Sequence, residues 1–358
     1  MAIDVSTTTG PGPGSGPGPG PGPGDKALTG AGGSLSRPST TPVAPDVKPG
    51  GEGRHLKIAF AIMVAFFVLA PFVVYPVFLM KVMCFALFAC AFNLLLGFGG
   101  LLSFGHAMFL GTAGYASAHA AKVWGLTPEL AVIFATACAA LLGYVSGLLA
   151  IRRQGIYFAM ITLALAQMVF FFYLQAPFTG GEDGIQAVPR GMLFGLVDLS
   201  NNWAMYIFVT VVFLAAFLLI WRIVHSPFGQ VLKAIRENEP RATSLGFDTD
   251  RFKLMAFVLS AGFAGLAGGL KALLFQLASL TDVYWTMSGE VVLMTLLGGM
   301  GTLFGPVVGA AIIITMQNYL AHLGAWVTVV QGVIFVVCVL AFRRGMIGEI
   351  GHRLKRPL

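Results

Sequence analysis

The sequence predicts an all-α, polytopic membrane protein of about ten spans, and three observations carry that prediction. Hydrophobic residues make up 57% of the chain and charged ones 10%, where ordinary soluble domains carry about 25% charge; the mean hydropathy is +0.83. The block from Val82 to Ala121 holds no Asp, Glu, Lys or Arg, enough for two crossings at about 20 residues each. The basic residues behind the net charge of +7 lie mostly between apolar segments. Topology signals are placed that way, whereas a nucleic-acid surface would interleave them with aromatics.

In chain order, residues 1–53 form a Gly/Pro-rich leader, alternating from Gly10 to Gly24. It lacks both the every-third Gly of collagen and the early apolar run of a signal peptide, so it is expected to be disordered and cytoplasmic. A membrane domain is expected over 54–345, then a basic cytoplasmic tail over 346–358. Lys57 and Lys81 bracket the first expected span, Ile58 to Met80. Val82 to Phe98, Phe104 to Ala121, Leu130 to Ile151, Ile156 to Ala176 and Asn202 to Ile223 follow. The polar 226–253 loop separates these six from Leu254 to Ala278, a short Glu290 to Leu297, Phe304 to Leu320 and Trp326 to Phe342. In lipid only helices or a closed barrel satisfy so much backbone, and 20-residue apolar runs select helices. Lys and Arg in short loops place both termini, Arg152, Arg153 and the 226–253 loop in the cytoplasm, with Glu182, Asp183 and Asp198 outside. Cys84, Cys90, Cys138 and Cys338 all sit in apolar spans without metal-ligand spacing, so packing is expected and no metal site.

Two glycine-rich runs echo each other with one deletion: LLGFGGLLSFG from Leu95 to Gly105 and LLGGMGTLFG from Leu296 to Gly305. Short Gly-interrupted segments in both halves of a membrane chain point to a transporter's central site, although close helix packing selects the same residue. Gly97, Gly99, Gly100, Ser103, Gly105, Gly298, Gly299, Gly301 and Gly305 are therefore candidates to line a substrate path, with His106 beside them. His106 is expected to bond a neighbouring backbone carbonyl rather than to carry a proton, and Thr112 is a further hydrogen-bonding candidate. Lys271 and Glu290 are expected near the outer ends of their spans, either snorkelling or paired with each other.

The polar loop has its own pattern. Pro227 suits a helix start, Val231, Leu232 and Ile235 recur at helical spacing, and Pro240 is expected to stop the run. A turn, a short helix from Arg241 to Leu245 and a Gly246 cap complete it. A bare connection needs only a few residues, so this segment is expected to dock a partner.

Five ordered segments then carry a resemblance: GFGGLLSFGHAMFLGTAGY (97–115), RRQGIYFAMITLALAQM (152–168), TGGEDGIQAVPR (179–190), the 226–257 loop and GGMGTLFGPVVGA (298–310). Over about residues 82–345 the chain resembles the LivM-like permease subunits of bacterial ATP-driven (ABC-type) importers of branched-chain amino acids. The resemblance implies an inner-membrane permease that pairs with a LivH-like second permease, two cytoplasmic ATPase subunits and a periplasmic amino-acid-binding protein. It further implies an ATPase-coupling segment at Arg236, Glu237, Asn238, Glu239, Pro240, Arg241 and Gly246, and binding-protein docking at Glu182 and Asp183. No GxxxxGK[ST] phosphate loop occurs, so ATP is expected on the partners and no cofactor on this chain. With no GxSxG or HExxH, enzymatic activity is not expected. Relatives of the resembled family carry urea and short amides, which leaves the cargo open. An ion-coupled carrier is the alternative from another class, and it would need intramembrane acids or bases that the uncharged spans scarcely offer.

Overall fold

The computed structural model describes residues 52–321, 324, 326–341 and 345–353. The leader through Gly51, the Cys338 side chain, Arg343, Arg344 and the last residues of the tail lie outside that set. As expected, the described chain is helical. Its α-helices are α1 (Glu52–Leu69), α2 (Pro76–Asn93), α3 (His106–Lys122), α4 (Pro128–Ala150), α5 (Ile156–Gln175), α6 (Asn202–Val224), α7 (Pro227–Glu237), α8 (Glu239–Ser244), α9 (Thr249–Phe275), α10 (Trp285–Gly298), α11 (Gly305–Leu320), α12 (Trp326–Ala341) and α13 (Met346–Arg353). The ten expected spans map in order onto α1 to α6 and α9 to α12. Of these, α2, α4, α5, α6 and α9 are long and apolar enough to cross a membrane.

Helix starts follow local chemistry. Proline opens α2, α4 and α7, where its missing N–H costs nothing. Side-chain oxygens of Asn201, Ser226, Asn238 and Asp248 cap the first turns of α6, α7, α8 and α9.

Two helices form the centre. The apolar window of α2 is 89% buried and that of α9 is 72% buried, against 22% for α5. α9 packs along α2, α3 and α4, while α2 also meets α6, α10 and α11. Small residues permit this closeness. A Cβ on Gly268 would stand 2.0 Å from the Leu110 carbonyl oxygen, so α3 and α9 touch backbone to backbone.

Several boundaries differ from expectation. The first span ends in a short 3-10 turn at Ala70–Phe72, and Pro76 restarts the chain, so Lys81 lies inside α2 rather than between spans. Pro71 and Pro76 carried that signal, since a proline removes a backbone donor and favours a helix start. Asn93 leads into a π-helical turn, Leu94–Phe98. α9 begins at Thr249, so the charged end of the polar loop is already helical, and α10 begins at Trp285 rather than Glu290. At 14 residues, α10 is about 21 Å long, short of a hydrocarbon core of about 30 Å. Two-residue antiparallel strands appear outside the helices: β1 (Ile185–Gln186) pairs with β4 (Leu277–Ala278), and β2 (Met192–Leu193) with β3 (Val197–Asp198).

Candidate functional site

The two glycine runs, some 200 residues apart in sequence, meet in space. Asn93, 2% exposed, joins them: its Nδ2 donates to the Thr302 carbonyl at 2.8 Å and its Oδ1 accepts from the Gly301 N–H at 3.0 Å. Any side chain at Gly97 would collide with Asn93 and with the Gly301 nitrogen, 2.6 Å from a built Cβ. Gly301 itself has φ +75°, a conformation that costs an L residue about 1–2 kcal/mol.

The second run is equally tight. A Cβ on Gly298 would stand 1.8 Å from the Gly305 carbonyl oxygen, and one on Gly345 would stand 2.3 Å from the Gly299 Cα. α13 therefore starts against this turn. In the first run Ser103 is fully buried, its hydroxyl accepting from the Gly105 N–H at 3.2 Å. Gly99 is buried against Leu232 of α7 and Gly100 is exposed beside Arg236.

His106 differs from expectation. Its partner is the Ser260 hydroxyl, 2.8 Å from Nε2, and not a neighbouring carbonyl. Ser260 donates onward to the Ala91 carbonyl, so its lone pair accepts from Nε2–H and leaves Nδ1 unprotonated. Nδ1 has no partner, and the ring sits edge-on to Phe92, Phe109 and Phe257. The imidazole thus links α2, α3 and α9.

The polar loop folds as two helices, and the break falls at Asn238 rather than Pro240. Asn238 is extended, with φ −156° and ψ 94°, and Pro240 lies in the first turn of α8. Leu232 and Ile235 are buried, while Gly246 takes φ +89° just after α8. Arg236 turns back into the chain, donating through an Nη to the Gly97 carbonyl and lying 3.2 Å from a Cβ built on Gly301. Glu239 is also held internally, by buried Lys253 and by Gln154 at 3.0 Å. Arg236 itself, Glu237, Asn238, Pro240 and Arg241 are exposed.

Glu182 and Asp183 sit exposed on a 3-10 turn, Gly181–Asp183. β1 ties this loop to β4, just past the C-terminus of α9. The two-helix segment meets α9 at its other end, so the candidate docking and coupling surfaces are a helix length apart. Farther along the same connection between α5 and α6, the Ser200 N–H, 2.8 Å from Asp198 Oδ1, holds that carboxyl below its usual range.

A family model, branched-chain amino acid transport system / permease component, matches residues 76–339, a stretch containing both glycine turns, the two-helix segment and the loop bearing Glu182 and Asp183. The chain belongs to this family. Similar curated proteins include the high-affinity branched-chain amino acid transport system permease proteins LivM of Salmonella typhimurium and of Escherichia coli. The first is 26% identical over 255 residues, covering 65% of this chain and 59% of that protein; the second is 26% identical over 270 residues, covering 69% and 64%. The chain thus spans about three fifths of the length of these relatives. A ribose import permease protein, RbsC, of Bacillus subtilis is 28% identical over 232 residues, covering 62% of this chain and 70% of that protein. No solved structure matches.

Within this permease-family chain a cluster of charges escaped the sequence reading. Lys271 pairs with Asp282, not with Glu290, and its ammonium lies 5.2 Å from the centre of the Phe85 ring. Glu290 faces Gln317 instead, with Lys81 and Lys271 nearby. The available signal was four charges placed near the ends of four apolar segments. Sequence alone gave no means of pairing them.

Proposed function

We propose that the chain is the membrane permease subunit of an ATP-driven importer that carries apolar, branched-chain amino acids inward across the bacterial inner membrane. The observation that carries this reading is the bond from Arg236 to the Gly97 carbonyl, at the junction of the two glycine turns. A push on α7 and α8 must move that junction, because a buried carbonyl cannot lose its charged donor cheaply. Two soluble ATPases below would supply the push, binding ATP themselves. The exposed residues Glu237, Asn238, Pro240 and Arg241 would meet them. A LivH-like second permease would complete the path, with the glycine turns offering backbone groups to a zwitterion. A periplasmic amino-acid-binding protein would dock on Glu182 and Asp183, with both termini of this chain cytoplasmic.

The reading is tested by co-expressing the chain with the two ATPases, the sister permease and the binding protein in liposomes. ATP-dependent accumulation of labelled leucine, outcompeted by valine, is the expected result. Accumulation of urea or ribose with leucine excluded would overturn the cargo assignment; the ribose arm is included because of the similarity to a ribose permease. Leucine accumulation without ATP, driven by an ion gradient, would overturn the mechanism.

A further inference from the structure

Where α4 ends and α9 begins, the two helices border a cavity of about 310 Å³. α4 has 23 residues and α9 has 27, so they are about 34 Å and about 40 Å long, against a hydrocarbon core of about 30 Å. The cavity sits at the shared end of both spans and therefore at the level of the lipid headgroups, whichever leaflet that end faces. Gly147 lets the helices close beneath it: a Cβ there would stand 2.8 Å from Leu254 Cδ1. Buried Ile151 and half-buried Leu254 make the floor apolar.

Four charged side chains line the walls: Arg152 just past α4, and Asp248, Asp250 and Arg251 at the start of α9. Asp248 and Arg251 satisfy each other, since Oδ2 accepts from Nε at 2.7 Å and Oδ1 from the Arg251 N–H at 3.3 Å. The side chains of Arg152 and Asp250 have neither a hydrogen bond nor an ion pair among the described residues. One spare guanidinium and one spare carboxylate thus border one space. In bulk water such groups need no partner; among headgroups, what surrounds them is phosphate and ammonium. The walls carry no net charge, so an anionic headgroup would lose beside the two carboxylates what it gained at the two guanidiniums, whereas a headgroup bearing both charges matches both spare groups. From the cavity an exposed apolar stripe, Leu148, Val145 and Leu141, runs along α4 at helical spacing. It offers an acyl chain a path into the hydrocarbon.

We propose that this cavity binds one phospholipid whose headgroup joins a phosphate to a primary ammonium, of the phosphatidylethanolamine type. Arg152 donates to the phosphate, for which a guanidinium has the matching fork of N–H groups. Asp250 accepts from the ammonium, and one acyl chain lies along Leu148, Val145 and Leu141. The bound lipid joins the end of α4 to the start of α9, the helix that follows the α7–α8 segment and packs along α2, α3 and α4.

The test is rebinding of lipids with identical acyl chains to the delipidated full-length chain, read by native mass spectrometry. One phosphatidylethanolamine should bind about tenfold more tightly than phosphatidylcholine, whose methylated ammonium has no N–H to donate, or phosphatidylglycerol, which has no ammonium. Arg152→Gln should weaken phosphatidylethanolamine binding about tenfold, the loss expected for a hydrogen bond to a charged group. Asp250→Asn should remove the preference over phosphatidylcholine. Both side chains are exposed, so thermal midpoints without lipid should match the wild type. Leu148→Trp, which fills the cavity and leaves the charges in place, should abolish the tight site; if it misfolds, the Arg152 and Asp250 variants decide. Glycerophosphoethanolamine, the same headgroup without acyl chains, should not compete. Equal affinity for the three lipids, or wild-type affinity in Arg152→Gln, would overturn the proposal. A preference for phosphatidylglycerol would make this an anionic-lipid site, and competition by glycerophosphoethanolamine a site for a soluble zwitterion; either result refutes it. Loss of a co-purifying ATPase in Arg152→Gln with lipid binding unaltered would assign the surface to a protein partner and overturn the lipid.

Discussion

Asn93 uses both ends of its amide to join turns that lie on different halves of the chain, so its loss is felt twice. Asn93→Ala leaves the Gly301 N–H and the Thr302 carbonyl unpaired in a half-buried place. At roughly 1–3 kcal/mol per orphaned group, a destabilisation of about 2–4 kcal/mol is expected. A lowered thermal midpoint of the purified protein would report it, and an unchanged midpoint would mean that the turns are held by packing alone. Asp282 offers a second case. Its pair with Lys271 is shielded, with side-chain exposures of 13% and 15%. Asp282→Ala strands a cation against Phe85 and should cost about 3 kcal/mol, whereas the double change to Asp282→Ala with Lys271→Met should recover most of it. Equal midpoints for the single and double variants would refute the pairing.

At the scale of elements, α7 and α8 separate two roles that the linear pattern Arg-Glu-Asn-Glu-Pro-Arg merges. Arg236 and Glu239 each bond within the chain, Arg236 while exposed, and Arg241 is exposed. Arg236→Glu should therefore lower the thermal midpoint, since it sets a carboxylate against the Gly97 carbonyl. Arg241→Glu should leave the midpoint unchanged yet abolish ATPase co-purification and transport, because like charges brought together at an interface cost several kcal/mol. Equal behaviour of the two variants in both measurements would remove the distinction. α10 and α11 make a complementary point. Their closeness depends on Gly298 lying against the Gly305 backbone, and Gly298→Ala is expected to separate the pair and reduce membrane-inserted protein on quantitative blotting.

At the scale of the whole molecule, the Gly/Pro-rich leader precedes the first apolar span in the sequence. Deleting residues 1–50 should leave insertion and leucine uptake intact, because no apolar span is removed. Loss of uptake at normal membrane level would reveal a recruiting role for the leader. Orientation can be read with impermeant thiol reagents on intact cells. Cysteines at Ser36 and Gly351 should be protected and one at Glu182 should react. Glu182 is chosen over Gly184, where φ is +67° and a side chain would strike the Ala278 carbonyl oxygen. Reaction at Gly351 from outside would overturn the cytoplasmic tail.

Much of the fold was legible because lipid leaves the backbone few options: long uncharged runs become helices, and their order follows the chain. The boundaries at Pro76, Thr249 and Trp285 were less so, since hydropathy averages over the local capping and proline chemistry that sets a helix start. The glycine echo between residues 95–105 and 296–305 picked out two runs that meet in the fold, but an alignment of residue types carries no distance. Whether a glycine lines a path or admits a neighbour depends on what stands opposite, and only the folded chain brings Asn93, Gly301 and Arg236 together. The same holds for charge. Sequence identified Lys271 as expensive in a membrane, while the return of the chain after α9 selected Asp282 over Glu290 as its partner. The sequence by itself thus determined the class of protein and its succession of apolar helices, because those follow from composition and period. Tertiary structure alone decided which side chains are committed inside and which remain free, because pairing energies fall off over a few ångströms and those separations are set by helix packing.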